Sequence, residues 1–239
     1  MKEKVPVDFI PETYHFVAAG DSLTQGVGDS LNKGGYLHYL EQLLGEERGI
    51  KSTEIQNFGI RGNRSSQLLT RLKTTEVKEA VQKADVVMLT IGGNDLMKVV
   101  RENFSNLEMR HFEKEKLHFE KNLRSIVEVI RQENKESIII LIGLYNPFMK
   151  WFSNVEELNL VMEDWNQTSQ SVLAEHPHTY FVDIADIFKG SEENLLYTDY
   201  FHPNDRGYEL MAGEVYSIIK SKVMSTLSER KYAAQKVGN

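Results

Sequence analysis

Ser22 stands directly after an apolar run, at a position that suits a serine nucleophile. Residues 16–19 are apolar, and Gly20 and Asp21 separate them from Ser22. This pattern predicts a buried strand that ends in a tight turn before a helix. In an open α/β sheet, the carboxyl end of such a strand opens into the crevice where ligands bind. Ser22 is therefore a candidate nucleophile, and the alternative role for it is a helix N-cap.

Three further groups that could do chemistry follow later predicted strands. A glycine-punctuated loop runs through residues 57–65, and Asn94 follows two glycines after the third predicted strand. Asp199 lies three residues before His202, just ahead of the last predicted helix. Because the carboxyl ends of parallel strands meet at one edge of a sheet, we expect these groups and Ser22 to converge on one crevice.

A serine, a histidine and an aspartate in one crevice are the groups that acyl transfer requires. Serine Oγ is a weak nucleophile and needs a neighbouring base, for which His202 is the candidate. Asp199 is close enough in the chain to orient the imidazole and to stabilise its protonated form. The developing oxyanion needs preorganised donors, and the candidates are the backbone N–H groups of Ser22 and Gly62 and the side-chain amide of Asn94.

Composition limits the class of protein. The chain has 239 residues, of which 41% are hydrophobic and 26% charged, and these values suit one α/β domain. A net charge of −7 argues against a nucleic-acid partner. The longest apolar run, residues 138–144, has the length of a strand and does not approach the roughly 20 residues that span a bilayer. The absence of cysteine excludes disulfides, thiol catalysis and cysteine-ligated zinc.

Apolar runs alternate with longer amphipathic stretches along the whole chain. The predicted strands are residues 14–19, 54–58, 85–91, 137–143 and 179–184, and the predicted helices lie near 35–48, 65–83, 112–134, 155–175 and 205–227. This alternation predicts a three-layer α/β/α fold with a flavodoxin-like, five-stranded parallel sheet in the order 2-1-3-4-5. We expect a single domain over residues 1–228. Residues 229–239 are polar without apolar periodicity and are expected to form a flexible tail.

Four sequence blocks together resemble the SGNH, or GDSL-type, esterase and lipase superfamily. They occur in order, each after a predicted strand, and they are Gly20-Asp21-Ser22-Leu23, residues 57–62, Gly92-Gly93-Asn94-Asp95, and Asp199-x-x-His202-Pro203. The resemblance implies the SGNH hydrolase fold and a triad of Ser22, Asp199 and His202. It also implies an oxyanion hole formed by Ser22, Gly62 and Asn94, with the loop donor at Gly62. The implied activity is hydrolysis of small or lipid-like carboxylic esters through an acyl-enzyme on Ser22, without metal or cofactor.

The sequence Gly-Asp-Ser-Leu occurs twice, at residues 20–23 and again at residues 28–31. No predicted strand precedes the second copy, and Asn-Lys-Gly follows it. The second copy therefore indicates a loop in which Asp29 and Ser30 are turn or cap residues. Ser22, and not Ser30, is the predicted nucleophile.

Two segments are candidates for the wall of a substrate pocket. Tyr145, Phe148 and Trp151 lie in an unusually aromatic connection after the fourth predicted strand, and we expect them to contact an acyl chain. The alternative is that these side chains pack the connection onto the core. Residues 97–112 follow Asn94, are mixed in charge, and are predicted to form a mobile flap.

The sequence leaves the substrate open. A carbohydrate O-acetylesterase or a thioesterase would use the same catalytic groups. A non-catalytic flavodoxin-like binding module would explain the glycine-rich loops but not Asp199 and His202. We expect a small-molecule or lipid-like ester as the binding partner, and the sequence indicates no oligomeric state. No signal peptide or transmembrane segment is recognisable, which fits a cytoplasmic protein or an exported one whose signal or anchor has been removed.

Overall fold

Five parallel strands form one sheet in the computed structural model, which describes residues 9–147, 156–189 and 191–237. The strands are β1 Glu12–Gly20, β2 Ile50–Gly59, β3 Val86–Thr90, β4 Ile138–Ile142 and β5 Thr179–Val182. Their order is β2-β1-β3-β4-β5, so the predicted sheet is confirmed. Gly20 pairs with Gly59 on one side and with Thr90 on the other. The loops that follow β1, β2 and β3 therefore leave the sheet at the same level.

Helices cover both faces of the sheet. They are α1 Ser22–Gln25, α2 Tyr36–Gly45, α3 Ser65–Arg71, α4 Thr75–Lys83, α5 Gly93–Glu102, α6 Met109–Glu133, α7 Glu156–Ala174, α8 Ala185–Phe188, α9 Asp205–Ile218 and α10 Met224–Val237, with a π-helical turn at Ile219–Val223. Apolar side chains of α2, α9 and α10 form the core on one face, and those of α3 to α7 form the core on the other. The predicted three-layer architecture is confirmed.

Strand β4 is apolar throughout, and β3 is apolar from Val86 to Leu89, because both faces of these strands are buried. In β3, Val86 and Met88 pack in the core beneath α2 and α9, whereas Val87 and Leu89 pack beneath α3 to α7. Large apolar side chains buried in this way each contribute about 1.5–3 kcal/mol to folding. This continuous burial is the reason that the strand could be recognised in the sequence.

The segment at residues 97–112, predicted to be a flap, is mostly helical. Helix α5 extends to Glu102, and α6 begins at Met109. Leu96 and Val99 lie three positions apart on α5, and both are buried in the core. This short amphipathic pattern holds α5 against the fold, and only residues 103–108 connect the two helices.

The polar segment after residue 228, predicted to be a flexible tail, is helical as far as Val237. Its side chains bind the body of the protein: Gln235 donates to the carbonyl of Ile10 at 2.7 Å, and Lys231 pairs with Asp85 at 3.0 Å. Because polar contacts hold this helix in place, its sequence lacks the apolar periodicity from which a helix is predicted, and a flexible tail was expected instead. Within the described ranges, no helix combines the length and the apolar character needed to cross a membrane.

Candidate active site

The structure brings Ser22, His202 and Asp199 into one hydrogen-bonded chain. Ser22 Oγ lies 2.9 Å from His202 Nε2, and His202 Nδ1 lies 2.6 Å from Asp199 Oδ2. An ionised carboxylate can only accept hydrogen bonds, so Nδ1 carries the ring proton and Nε2 presents a lone pair to Ser22. This arrangement allows His202 to take the proton of the Ser22 hydroxyl.

Ser22 is held by the turn between β1 and α1. Asp21 ends the extended chain and accepts a hydrogen bond from the N–H of Leu23 at 3.0 Å, which makes it the N-cap of α1. Ser22 is thus the first residue of the helix, and its side chain is buried except toward a cavity that it lines. Asp21 and not Ser22 fills the cap position, so the hydroxyl of Ser22 is left for His202.

Asp199 is organised by its own loop. Its Oδ1 accepts the backbone N–H groups of Phe201 and His202, both at 3.0 Å, and its Oδ2 accepts from the His202 ring. Burial opposes ionisation of this carboxyl, but the hydrogen bonds from the His202 ring and from the two backbone N–H groups outweigh it and hold the pKa of Asp199 below its usual value. Asp199 is therefore ionised at neutral pH and can stabilise a protonated His202.

Tyr145 supports the loop that carries His202. Its hydroxyl donates to the carbonyl of Phe201 at 2.6 Å, and its ring stacks on Phe188 with 3.9 Å between the centroids. Tyr145 also lines the cavity at Ser22. The other two residues predicted for this pocket, Phe148 and Trp151, lie outside the described residues.

The loop after β2 carries Gly62 in a tight turn. The N–H of Asn63 donates to the carbonyl of Ile60 at 3.1 Å, and Gly62 has a φ of 81°. A positive φ at the third residue of such a turn is typical of type II and favours glycine. A Cβ on Gly62 would meet no atom within 4 Å, so this backbone faces open space. In the described part of the chain, no acceptor takes the N–H of Gly62.

Asn94 connects this loop to Ser22. Its Nδ2 donates to the carbonyl of Asn63 at 3.0 Å, next to Gly62 in the chain. Asn94 and Ser22 line the same cavity. The three predicted oxyanion donors therefore lie on connected segments, although Gly62 itself does not line the cavity.

Asp95 and Ser65 hold the Gly62 loop in register with α5, and sequence reasoning did not pair them. The two carboxylate oxygens of Asp95 accept the hydroxyl of Ser65 at 2.6 Å and its N–H at 2.9 Å. Asn122 on α6 also donates to Ser65 Oγ at 2.9 Å. Burial raises the pKa of Asp95 even though the Ser65 hydrogen bonds favour its ionised form. The two residues are 30 positions apart, and no local pattern links them.

Asp21 is a buried carboxyl beneath the nucleophile. Its Oδ1 accepts the hydroxyl of Thr90 at 2.9 Å and the N–H of Leu23 at 3.0 Å. Thr90 Oγ1 lies 2.7 Å from the hydroxyl of Thr24, so the polar groups in this region form a chain. Burial raises the pKa of Asp21 to about 7, against the opposing effect of its hydrogen bonds.

This shift predicts that stability depends on pH through Asp21. An unfolded aspartate has a pKa of about 3.9, so folded Asp21 holds its proton more tightly, and the free energy of unfolding falls as pH rises from about 4 to about 7. Asp21→Asn keeps an acceptor for Leu23 and Thr90 and carries no charge. At pH 8 we expect the free energy of unfolding of Asp21→Asn to be roughly 2–4 kcal/mol higher than that of wild type. Urea titrations at pH 4.5 and pH 8 check this, and an equal difference at both pH values would contradict it.

An apolar cavity opens beside Ser22. Its volume is about 570 Å³, including the open mouth. Most of its lining is apolar, and the residues that contribute side chains include Leu96, Met97, Ile142, Leu144, Tyr145, Pro147, Met162 and Phe201. The cavity suits an apolar group placed next to the Ser22 hydroxyl. Among the described residues, no three His, Asp or Glu side chains are grouped to hold a metal ion.

Comparison with known protein families identifies the family of this chain. The model of the GDSL-like lipase/acylhydrolase family matches residues 18–210, a range that contains Ser22, Gly62, Asn94, Asp199 and His202. The chain belongs to this family. The resemblance inferred from the four sequence blocks is therefore confirmed, and the family is one of lipases and esterases.

Relatives of this family match nearly the full chain. The protein YpmR of Bacillus subtilis is 37% identical over 223 residues, which cover 92% of this chain and 87% of YpmR. The spore germination lipase LipC of Bacillus licheniformis is 30% identical over 204 residues, or 84% of this chain and 93% of LipC. Among solved structures, the lipase Lip_vut3 from a goat rumen metagenome superposes with a TM-score of 0.79 at 28% identity, covering 88% of this chain and 99% of that one.

Proposed function

We propose that this protein is a serine esterase that hydrolyses carboxylic esters through an acyl-enzyme on Ser22. The observation that carries the proposal is the pair of distances from His202, 2.9 Å to Ser22 Oγ and 2.6 Å to Asp199 Oδ2. Hydrogen bonds of this length join a nucleophile, a base and the group that orients the base. The apolar cavity at Ser22 gives an ester a place to bind.

In the first half of the reaction, Ser22 Oγ attacks the ester carbonyl carbon. Its proton passes to His202 Nε2, and the electron pair of the C=O bond moves to the carbonyl oxygen. The ionised Asp199 stabilises the imidazolium that results. When the tetrahedral intermediate collapses, the bond to the alcohol breaks and the leaving oxygen takes the proton from His202.

In the second half, water replaces the alcohol. The water oxygen attacks the acyl carbon on Ser22 while His202 accepts a proton from that water. A second tetrahedral intermediate collapses, the bond to Ser22 Oγ breaks, and His202 returns the proton to that oxygen. The carboxylic acid leaves, and the free hydroxyl of Ser22 is restored.

Three donors are proposed to stabilise the oxyanion in both halves. They are the N–H of Ser22, the N–H of Gly62 and the Nδ2 of Asn94. Within the described ranges, neither backbone N–H has a protein acceptor, so both are open to a substrate. The hydrogen bond of Asn94 to the Asn63 carbonyl at 3.0 Å uses one amide hydrogen and orients the other. Donors fixed before the reaction are the arrangement that stabilises a developing charge most effectively.

Ester hydrolysis can be tested with p-nitrophenyl esters from acetate to laurate. We expect turnover by wild type, with the highest kcat/KM for an acyl chain longer than acetate because the cavity is mostly apolar. A fluorophosphonate, which reacts with activated serines, should abolish this turnover. Hydrolysis that survives complete fluorophosphonate treatment, or an inert wild type on every chain length, would contradict the proposal.

The cavity wall predicts how chain-length preference can be changed. Met97 on α5 is half-buried and lines the cavity, so Met97→Phe places a stiffer and bulkier ring in the space for the acyl chain. We expect the preferred chain to become shorter, with kcat/KM for laurate falling about 10-fold relative to acetate. Met109→Phe is the matched control, because Met109 is exposed and does not line the cavity. An unchanged profile for Met97→Phe would show that the acyl chain binds elsewhere.

A further inference from the structure

The second Gly-Asp-Ser-Leu copy lies between the nucleophile and the catalytic base. Residues 26–30, here called the bridging segment, follow α1 directly. The N–H groups of Gly26 and Val27 both donate to the carbonyl of Ser22 at 3.0 Å. One end of the bridging segment is therefore fixed to the residue that carries the nucleophile.

Gly28 packs against the backbone at His202. Its φ is 99°, in the region that favours glycine. A Cβ on Gly28 would lie 2.3 Å from the carbonyl oxygen of Pro203 and 3.3 Å from the Cβ of His202. The first of these distances is an overlap with backbone, which cannot rotate away as a flexible side chain can. Only glycine allows the two backbones to approach this closely.

Ser30 and Val27 tie the bridging segment to the helix that follows His202. Ser30 donates its N–H at 2.8 Å and its hydroxyl at 2.5 Å to the two carboxylate oxygens of Asp205, the first residue of α9. Tyr208, one turn later, donates its hydroxyl to the carbonyl of Val27 at 2.7 Å. The bridging segment is thus hydrogen-bonded both to Ser22 and to the helix after His202, although these two residues are 180 positions apart in the chain.

Asp29 stiffens the segment itself. Its carboxylate accepts the N–H groups of Leu31 at 2.9 Å, Lys33 at 2.7 Å and Gly35 at 2.9 Å. Burial opposes ionisation of Asp29, but these backbone hydrogen bonds outweigh it and lower its pKa. A loop closed by three hydrogen bonds to one charged group has few alternative conformations. It can therefore hold the groups bonded to its two ends at a fixed separation.

We propose that the bridging segment sets the distance between Ser22 Oγ and His202 Nε2, with Gly28 and Ser30 as positioning residues. The proposal rests on the proposed function, since that distance governs proton transfer in the esterase mechanism. Ser30 acts through Asp205 and α9 and does not touch substrate. The repeated motif is therefore a second part of the same site, and its serine is a support for the histidine.

Gly28→Ala tests the close approach. We expect kcat for p-nitrophenyl butyrate to fall about 10²-fold with little change in KM, because a displacement near 1 Å misaligns the base without altering the cavity. Gly213→Ala in α9 is the matched control, since a Cβ there meets nothing within 4 Å, and it should keep wild-type kcat.

Ser30→Ala tests the bond to Asp205. We expect kcat to fall about 10-fold, and Ser30→Thr to restore it because threonine also supplies a hydroxyl. Ser171→Ala removes an exposed serine hydroxyl on α7 and is the matched control. Melting temperatures accompany each assay. A lower melting temperature with wild-type kcat in Gly28→Ala and Ser30→Ala would overturn the proposal, because the segment would then support only the fold.

A crystal structure of Gly28→Ala separates this proposal from the proposed function. We expect the distance from Ser22 Oγ to His202 Nε2 to exceed the roughly 3.5 Å limit of a hydrogen bond, and this readout does not depend on activity. A distance unchanged from 2.9 Å would overturn the positioning proposal even if wild type is an active esterase. An inert wild type with a lengthened distance in Gly28→Ala would instead overturn the esterase function and leave the positioning role supported.

Discussion

Asp199→Asn is expected to lower kcat about 10⁴-fold while the protein stays folded. The two backbone N–H groups that bind Asp199 Oδ1 require an acceptor, so the oxygen of asparagine takes that position and its NH₂ group faces His202 Nδ1. Nδ1 must then accept a hydrogen bond, and the ring proton moves to Nε2. A protonated Nε2 cannot take the proton of Ser22, so the base is lost without a change in shape.

Steady-state kinetics on p-nitrophenyl butyrate measure this effect. KM should change little, because Asp199 does not line the cavity. Asp186→Asn is the matched control, since Asp186 is exposed on α8 and lies outside the triad. Retention of more than about a tenth of the wild-type kcat by Asp199→Asn would mean that Asp199 does not orient the base.

Asn94→Ala is expected to lower kcat about 10²–10³-fold. The side chain is proposed to donate to the oxyanion, which exists only in the transition state and the intermediate, so kcat should fall more than KM rises. Asn94→Asp should lose at least as much, because an ionised carboxylate offers no hydrogen to the oxyanion and repels its charge.

Asn106→Ala provides the control for this pair of variants. Asn106 is exposed in the connection between α5 and α6, where its side chain donates to Glu108 at 2.9 Å. We expect its kinetics to match wild type. If Asn94→Ala instead raises KM with an unchanged kcat, Asn94 binds the ground state of the substrate and is not part of an oxyanion hole.

The sheet could be predicted from sequence because burial on both faces leaves a strong pattern. Residues 86–89 of β3 and all of β4 are apolar, and each strand is followed by a loop that contains glycine. The positions of Ser22, Asn94 and His202 could be predicted for the same reason, since parallel strands deliver their following loops to one edge. The residues that gather at this edge could therefore be predicted once the strands were placed.

The supports of the site were not predictable, because they are polar contacts between distant segments. Asp95 binds Ser65 across 30 positions, and Ser30 binds Asp205 across 175. Neither pair follows a helical or strand period, so nothing local in the chain marks it. Tyr145 shows a related limit: the sequence indicates an aromatic side chain near the crevice, but not that its hydroxyl holds the Phe201 carbonyl.

Helix ends set another limit. The predicted helix at residues 65–83 is two helices, α3 and α4, because the chain turns between Arg71 and Thr75. The predicted last helix at residues 205–227 contains a π-helical turn at Ile219–Val223, and α10 continues beyond residue 227 to Val237. Across the π-helical turn the buried residues Val215, Ile219 and Val223 continue at intervals of four, so periodicity does not show where the backbone changes.

Mapping the residue that a fluorophosphonate modifies tests the central claim most directly. Wild type and Ser22→Ala are treated with the reagent, digested, and analysed by peptide mass spectrometry alongside the hydrolysis assay. We predict one adduct, on Ser22, formed in proportion to the loss of ester hydrolysis and absent from Ser22→Ala, which should itself be inactive. An adduct on Ser30 or on any other residue that tracks the loss of activity, or a Ser22→Ala variant that hydrolyses esters like wild type, would contradict Ser22 as the nucleophile.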